Sequence, residues 1–232
     1  MICKAEKARL LTVGDTIGTS VAEKRREKTQ QRILSAAGSL FLKDGFSGTS
    51  MDEVAIAADV SKQTIYAHFR AKEALFVAVV RSMTGQAGDR VQEEVADPPP
   101  DRDVEDFLLE FAISQLTIVM TPQLMQLRRL VIAEADRFPE LGKALHDQGP
   151  GRSIRRLTRA FAAYAEAGKL NVPEPEAAAA FFNWLVMGAP VNDAMLLGEG
   201  AMLDRPAIGA HAEEAVRIFL SAYGAGLGAV GR

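Results

Sequence analysis

The spacing of apolar residues along this chain has the period of an α-helix. In the first part, Ile33, Ala37 and Phe41 recur at four-residue steps and would form one apolar face of a helix that begins near Lys24. No run of alternating β-branched and polar residues lasts more than a few positions, so strand signals are nearly absent. The pattern predicts an all-α fold.

Proline and glycine residues divide the second half of the chain into further predicted helices. The clearest boundary is the loop Asp97-Pro98-Pro99-Pro100, because consecutive prolines cannot continue a helix. Breaks at later prolines and glycines leave predicted helices over residues 103–120, 123–137, 151–168, 174–197 and 207–226. These segments predict a helical bundle that follows a smaller N-terminal region.

Residues 50–72 contain two short helical segments joined by a tight turn. Ser50 and Glu53 have the spacing of a capping box, in which each side chain binds the backbone amide of the other residue. Asp59 ends the first segment, and Ser61 caps the second one. This is the form of a helix-turn-helix motif, whose second helix enters the DNA major groove.

The second helix of this motif has a polar outer face. Ile65 and Phe69 lie four residues apart and would point to the core. The side chains left facing outward are Lys62, Gln63, Thr64, Tyr66 and His68. In a major groove, glutamine pairs with adenine, lysine with guanine and threonine with the thymine methyl group, whereas tyrosine and histidine would donate to phosphates. The alternative is a solvated polar face on an ordinary surface helix.

Further phosphate contacts are predicted beside the motif. Thr49 and Ser50 can reach phosphate oxygens, and the helix that begins at Met51 offers free backbone amides. A preceding basic cluster consists of Lys24, Arg25, Arg26, Lys28 and Arg32. We expect this cluster to contact phosphates or the minor groove. The alternative is the solvated start of a helix.

The net charge of −3 conceals a difference between the two parts of the chain. Residues 1–80 hold 12 Lys and Arg against 9 Asp and Glu, whereas the remainder holds 15 against 21. A basic N-terminal part on an acidic body is typical of a DNA-binding protein with a separate effector domain. Residues 1–23 lack helical periodicity and are predicted to be a flexible leader.

Several kinds of protein and site are not predicted. The one cysteine, Cys3, excludes an internal disulfide framework and a zinc site built on cysteines. There is no signal-peptide core and no window of 18 apolar residues, so we expect a cytoplasmic protein. The histidines are His68, His146 and His211, which lie far apart in sequence, and neither a metal nor a cofactor is predicted.

Enzyme signatures are also weak. The glycine spacing of residues 226–231 matches a dinucleotide-binding pattern, but it follows a predicted helix rather than a strand, and we reject it. No serine elbow, phosphate-binding loop or paired carboxylate pattern stands out. We therefore expect a protein that is not an enzyme.

The segment from Gln31 to Val80 resembles the DNA-binding domain of the TetR family of bacterial transcriptional regulators. The residues that carry the resemblance are, in order, Arg32-Ile33-Leu34, Ala36-Ala37, Phe41, Gly45-Phe46, Thr49-Ser50-Met51, Ile56-Ala57, Val60-Ser61-Lys62, Thr64-Ile65-Tyr66, Phe69 and Lys72-Glu73-Ala74-Leu75. Asp59 departs from the family, which usually has glycine in this turn. Aspartate enters the left-handed backbone region at modest cost, so we expect the turn to survive.

The resemblance implies a homodimer whose two helix-turn-helix units bind a palindromic operator in double-stranded DNA. It implies that Lys72 contacts the DNA backbone and that a larger C-terminal domain binds a small molecule and forms the dimer interface. Residues 127–135 and 138–141 resemble the AefR-like subgroup. The predicted organisation is a leader (1–23), a DNA-binding domain (24–80) and a helical ligand-binding and dimerisation domain (81–232).

Apolar and flexible side chains of the C-terminal domain could line a cavity for a largely apolar effector. The candidates are Phe107, Phe111, Gln115, Met120, Met125, Phe161, Tyr164, Trp184 and Met187, with Arg128, Asn183 and Asn192 as polar anchors. Each has the alternative of an ordinary core residue. The dimer interface or the core could include Phe181, Trp184, Leu185, Ile218, Phe219 and Tyr223.

The first hypothesis is therefore a transcriptional regulator, a repressor whose operator binding is released by a ligand in the C-terminal domain. The alternative is a helical ligand-binding protein with a non-specific or vestigial helix-turn-helix. A third and weaker hypothesis is an α-helical enzyme that uses the C-terminal cavity. Preference for one DNA sequence would separate the first two, and turnover of a bound molecule would favour the third.

Overall fold

The structure is a computed structural model that describes residues 4–99 and 101–225, with side chains from Val21 onward. Within these ranges the regular elements are helices, and an isolated bridge joins Leu170 to Gly224. The predicted all-α fold is confirmed. Cys3 and the glycine-rich residues 226–231 lie outside the described residues.

The chain divides into two compact units, the first ending at Val79 and the second beginning at Val80. The division falls within one helix. The first unit contains α1 (Lys4–Gly48), α2 (Met51–Ala58), α3 (Lys62–His68) and the beginning of α4 (Lys72–Glu94).

Helix α1 begins at Lys4, well before its predicted start near Lys24. The backbone is thus helical over residues 4–23, for which the sequence predicts a flexible leader. Ala, Glu, Lys, Arg and Leu are frequent in this segment, and their high helix propensity extends an existing helix without needing an apolar face. At the other end, Gly45 has φ 74°, a left-handed value that interrupts the helix and favours glycine.

Three phenylalanines form the centre of the first unit. The ring of Phe76 lies 4.7 Å from that of Phe41 and 5.3 Å from that of Phe46, measured between centroids. Ile65 of α3 is fully buried and Phe69 nearly so, as the four-residue spacing predicts. The apolar residues therefore hold α3 by one face and leave its other face outside.

The second unit contains the rest of α4 and further helices separated by short breaks. These helices are α5 (Val104–Val119), α6 (Pro122–Glu134), α7 (Pro139–Gln148), α8 (Pro150–Glu166), α9 (Pro175–Leu197), a 3₁₀ turn (Glu199–Ala201) and α10 (Arg205–Tyr223). No single helix among the described residues is long and apolar enough to cross a membrane. Only α5 and α6 taken together have such a length and composition, and a bend of 73° separates them.

Helix α7 is absent from the sequence-based prediction, which treats Pro139 only as a break. Proline is well suited to the first position of a helix, because the amide that it lacks would have no partner there. Helices α6, α7, α8 and α9 all begin in this way. Leu141 and Ala144 hold α7 by its buried face.

Aromatic rings fill the core of the second unit. Phe161 of α8, Phe182 of α9 and Phe219 of α10 lie in mutual contact, with centroid distances of 5.0 to 6.2 Å. Phe107 of α5 contacts Tyr164 of α8 at 6.0 Å. These contacts join α5, α8, α9 and α10 into one bundle.

A buried arginine joins α8 to the end of α4. Arg156 is 6% exposed and donates from Nε to Asp97 Oδ1 at 2.5 Å. Its terminal nitrogens donate to the backbone oxygens of Val91 and Val95. The guanidinium thus gives a partner to the Val95 carbonyl, which lies just past the end of α4, and a second donor to the Val91 carbonyl, which also accepts from the Val95 amide.

Candidate functional site

The turn between α2 and α3 is built from local polar contacts. Ser50 Oγ accepts from the Glu53 amide at 3.2 Å, and the Ser50 amide donates to Glu53 Oε2 at 2.8 Å. The Ser50 backbone amide, and after it the Ser50 side chain, lowers the pKa of the Glu53 carboxyl. Ser61 Oγ likewise accepts from the Thr64 amide at 3.0 Å. The predicted capping box is confirmed, and both helices of the motif begin at a capped residue.

Asp59 adopts the left-handed conformation that was predicted for this turn, with φ 50° and ψ 55°. Arg32 of α1 donates to the carbonyl oxygens of Ala58 at 2.6 Å and Asp59 at 2.7 Å, and to Asp59 Oδ2 at 2.9 Å. Aspartate therefore replaces the usual glycine with an added ion pair to α1. These bonds join Arg32 to the turn, a structural role that its place in the predicted basic cluster does not indicate.

The outer face of α3 is the candidate contact surface. Lys62, Gln63 and Tyr66 are exposed, whereas Thr64 and His68 are half-buried. The Thr64 hydroxyl lies 2.7 Å from Ser61 Oγ, so it takes part in the cap. The three exposed side chains thus form the accessible part of the predicted set.

Two lysines predicted to contact DNA, Lys62 of α3 and Lys72 of α4, have intramolecular partners. Lys62 Nζ donates to Asp52 Oδ2 of α2 at 2.8 Å, and this bond raises the pKa of Lys62. The Lys72 ammonium lies 4.4 Å from the centroid of the Phe46 ring. Because Lys62 and Asp52 are both largely exposed, their ion pair is weak and can exchange for another anion.

The basic residues predicted to contact phosphates from α1 are exposed, and one of them, Arg26, lies near the end of α3. They include Arg25, Arg26 and Lys28. The pKa of His68 is lowered, first by its partial burial and then by the positive charge of Arg26. Arg26 and His68 therefore influence each other although 42 positions separate them, and a neutral His68 is the favoured form.

Two residues predicted to contact phosphates lie inside the first unit instead. Thr49 is 3% exposed, and its hydroxyl donates to the Gly45 carbonyl at 2.9 Å. The Met51 side chain is buried. The Thr49 hydroxyl is therefore engaged inside the first unit rather than at the surface, whereas Met51 is predicted to contribute its backbone amide. The backbone at the start of α2 remains as a donor.

The second unit encloses a cavity of about 60 Å³ between residues of α4 to α9. This volume holds a few water molecules at most. Its wall is mainly apolar and includes Val91, Val119 and Leu124. Among the predicted ligand-binding residues, those that line it are Gln115, Met125, Arg128, Asn183, Trp184 and Met187.

The remaining predicted ligand-binding residues do not line this cavity. Phe107, Phe161 and Tyr164 are buried in the aromatic core described above, and Phe111 is buried against Phe107, with 6.0 Å between the ring centroids. Burial raises the pKa of Tyr164 to about 12. Met120 lines a separate open groove and Asn192 is exposed. The sequence could not distinguish core from cavity wall for the four aromatic residues, because both environments are apolar.

Residues that sequence analysis did not single out complete the cavity. Thr84 and Gly88 come from α4, and Gln148 and Ser153 come from the α7–α8 region. Ser153 Oγ accepts from Gln115 Nε2 at 3.1 Å. Neither a motif nor a periodicity marks these positions, since only the packing of distant helices brings them together.

Apolar side chains remain exposed on the last two helices. Phe181, Trp184, Leu196 and Leu197 of α9 are each more than half exposed, and Ile218 of α10 is 39% exposed. Phe219 is buried and belongs to the core. The structure thus separates residues whose roles the sequence left open.

Two family models match the chain. The model for bacterial regulatory proteins of the tetR family matches residues 33–79, and the model for the C-terminal domain of AefR-like transcriptional repressors matches residues 106–225. A solved TetR-family regulator from Mesorhizobium loti is 33% identical, with a TM-score of 0.80 over 86% of this chain and 98% of that one. The chain belongs to the TetR family.

Other TetR-family members are similar over different lengths. The flavonoid-responsive regulator FrrA is 32% identical, with a TM-score of 0.72 over 85% of this chain and 98% of that protein. The transcriptional repressor NicS of Pseudomonas putida is 29% identical over 47% of this chain, and the regulator UidR of Escherichia coli is 29% identical over 53%. These alignments span only 54% of NicS and 59% of UidR.

Proposed function

We propose that this TetR-family protein is a transcriptional repressor that binds a palindromic operator as a homodimer and is released by a small molecule. The observation that carries the proposal is the exposed face of α3, with Lys62, Gln63 and Tyr66 on a helix whose buried face is fixed by Ile65 and Phe69. Side chains reach bases from such a face when the helix lies in the major groove.

Within this proposal, Gln63 reads a base and its neighbours position the protein on the DNA. Gln63 is exposed near the start of α3, where recognition helices contact base edges. The phosphate contacts come from Ser50, Tyr66, His68, Lys72 and the α1 residues Arg25, Arg26 and Lys28. Lys62 exchanges its bond with Asp52 for a DNA group, since a phosphate or base acceptor can replace an exposed carboxylate.

The homodimer of this proposal forms through α9 and α10. Phe181, Leu196, Leu197 and Ile218 are exposed there although they are large and apolar. A cluster of such residues marks an interaction surface in a protein with a well-filled core. A two-fold axis at this surface gives the symmetric pair of α3 helices that a palindrome requires.

The small molecule of this proposal binds in the cavity of the second unit. The similar regulator FrrA is described as flavonoid-responsive, which supports an effector with an apolar body for this chain. The flexible side chains of Met125 and Met187 in the wall allow the cavity to enlarge around such a body. Release from DNA follows if the ligand binds more tightly to a conformer with low operator affinity.

Fluorescence anisotropy with DNA from upstream of the protein's own gene tests the proposal, with scrambled DNA as the reference. We expect the preferred DNA to bind roughly 10³-fold more tightly at moderate salt. Gln63→Ala should lower this preference by about 10-fold or more, because a good bidentate pair contributes roughly 1–3 kcal/mol of discrimination. Tyr66→Phe should weaken binding to all sequences alike.

The matched control is Gln126→Ala, which removes an exposed glutamine from α6 in the second unit. This variant should bind and discriminate as the parent does. If Gln63→Ala discriminates as sharply as the parent, the assignment of Gln63 is wrong. Equal and salt-labile binding to many natural and scrambled sequences would favour a helical ligand-binding protein with a non-specific helix-turn-helix.

A further inference from the structure

Three buried polar atoms in the cavity of the second unit have no hydrogen-bond partner in the described part of the chain. They are Thr84 Oγ1, Gln115 Oε1 and Asn183 Nδ2. Their residues come from α4, α5 and α9 and are at most 6% exposed. Leaving a buried polar group unsatisfied costs about 1–3 kcal/mol. The clustering of all three in one small cavity therefore indicates a site for a polar molecule rather than an accident of packing.

The two amides are held in place by each other. Gln115 Nε2 donates to Asn183 Oδ1 at 3.0 Å and to Ser153 Oγ at 3.1 Å. Each amide therefore keeps one polar atom for a further partner. An exchange of amide nitrogen and oxygen in both residues would preserve this pairing and would still leave polar atoms available.

Arg128 supplies positive charge to the same cavity. It is the one charged residue among the described residues of the wall, and none of the lining residues is acidic. No carboxylate of the described chain lies within 4.0 Å of its guanidinium nitrogens. Partial burial removes water from this guanidinium and lowers the pKa of Arg128. An arginine in this setting attracts an anion and repels a cation.

The neighbouring arginine differs in this respect. Arg129 donates to the backbone oxygen of Ala194 at 3.0 Å and satisfies the end of α9. Arg156 has an acidic partner and two carbonyls. Arg129 and Arg156 thus have hydrogen-bond partners in the described part of the second unit, whereas Arg128 lines the cavity.

We infer that the effector carries an anionic oxygen group on an apolar body, and that this group pairs with the guanidinium of Arg128. A second, neutral polar group of the effector meets the Gln115–Asn183 pair, while the apolar body contacts Met125, Met187 and Trp184. Carboxylates and ionised phenols share the required chemistry. This inference rests on the proposed function and assigns a ligand class to its cavity.

The sole tryptophan of the chain provides a direct test, because Trp184 lines the cavity. Full-length protein is titrated with matched pairs of probes, benzoate against benzamide and cinnamate against cinnamamide. Trp184 emission and isothermal titration calorimetry follow binding at constant protein concentration. We expect each acid to bind at least about 10-fold more tightly than its amide, since charge-assisted bidentate pairs are the stronger hydrogen bonds. The phenol arm uses 4-nitrophenol and calorimetry, above and below the pH of its own ionisation.

Variants identify the residue responsible. Arg128→Gln should abolish the preference for acid over amide, and Arg128→Lys should retain part of it, because lysine keeps the charge without the planar fork. The matched control is Arg159→Gln, which removes an exposed arginine of the same unit and should leave the preference intact. Circular dichroism confirms that each variant is folded, and Arg128→Lys serves if Arg128→Gln is not.

The outcomes separate this inference from the proposed function, because the titration needs no DNA. Equal binding of acids and amides, failure of every acid and of ionised 4-nitrophenol to bind at millimolar concentration, or an unchanged preference in Arg128→Gln would overturn the inference. Sequence-specific DNA binding would then stand by itself. An acid preference that depends on Arg128, in a protein that does not discriminate between DNA sequences, would support the inference and contradict the proposed repressor.

Discussion

The two units of this protein treat their buried polar groups in different ways. In the first unit, Thr49 is buried and its hydroxyl donates to the carbonyl of Gly45. In the second unit, Thr84 is equally buried, and its hydroxyl has no partner in the described chain. Gln115 and Asn183 add further unsatisfied atoms to the same cavity as Thr84. Among the described residues, the buried side-chain atoms without a partner thus lie in the second unit.

The difference agrees with the roles that we propose for the units. A DNA-binding surface works through side chains that face outward, so its own core can satisfy every polar group beneath them. A ligand cavity has to hold unsatisfied groups, because these provide specificity once a ligand is bound. Each such group lowers stability by about 1–3 kcal/mol as long as it has no partner.

The largest expected effect comes from a substitution in the core of the first unit. Phe76→Ala removes a fully buried ring and should lower the free energy of unfolding of that unit by about 3–5 kcal/mol. Urea unfolding followed by far-UV circular dichroism should show an early transition. Trp184 fluorescence, which reports on the second unit, should show a much smaller shift.

The control for this prediction is Ile56→Ala in the same unit, where Ile56 is 81% exposed. It should change the free energy of unfolding by less than about 0.5 kcal/mol. Equal shifts of the two signals in Phe76→Ala would mean that the two units unfold as one, and would contradict independent unfolding.

A matched pair of threonine variants sharpens the comparison directly. Thr84→Val should raise the free energy of unfolding of the unliganded protein by about 1 kcal/mol, because an unsatisfied hydroxyl is replaced by an isosteric methyl group. Thr49→Val should lower it by a similar amount, about 1 kcal/mol, since it leaves the Gly45 carbonyl without its bond. Chemical denaturation measures both variants. Destabilisation of the same size in both would show that Thr84 has a partner.

The smallest expected effect concerns pH and the first unit. The pKa of His68 is lowered by burial and by Arg26, so the unfolded chain binds a proton at a higher pH than the folded protein does. The free energy of unfolding should therefore fall as the pH drops below about 6.5, the ordinary histidine value, and level off once folded His68 is protonated. Denaturation at several pH values measures this slope.

The variant His68→Gln should lose this component of the pH dependence. Gln126→Ala serves as the control, because it removes an exposed side chain of the second unit that does not titrate and should leave the slope intact. An identical slope in the parent and in His68→Gln would contradict the shift assigned to His68.

Sequence analysis succeeded where the interactions are local. The caps formed by Ser50 with Glu53 and by Ser61 with Thr64 connect residues three positions apart, so their geometry follows from spacing alone. The αL conformation of Asp59 follows in the same way from the chemistry of a short polar side chain. The all-α fold was equally accessible, because helical periodicity is a local signal.

The sequence did not predict features that depend on distant segments, or on a residue type that suits two structural roles. Pro139 reads both as a break and as a first helical position, and the start of α7 depends on packing of Leu141 against the rest of the unit. Arg32 resembles a phosphate contact in sequence, because its bonds to Ala58 and Asp59 form only once α2 packs against α1. The four aromatic residues Phe107, Phe111, Phe161 and Tyr164 read as cavity walls but pack together as core.

The sequence by itself determined the helical class, the helix-turn-helix and the polar face of α3, since hydrophobic period and capping act over three or four residues. Only the tertiary structure decided which side chains meet in the cavity. Gln115 pairs with Ser153 across 38 positions and with Asn183 across 68, and no local pattern encodes such distances. Arg128 without an acidic partner is equally a property of the packed bundle, because every arginine looks alike until its neighbours are in place.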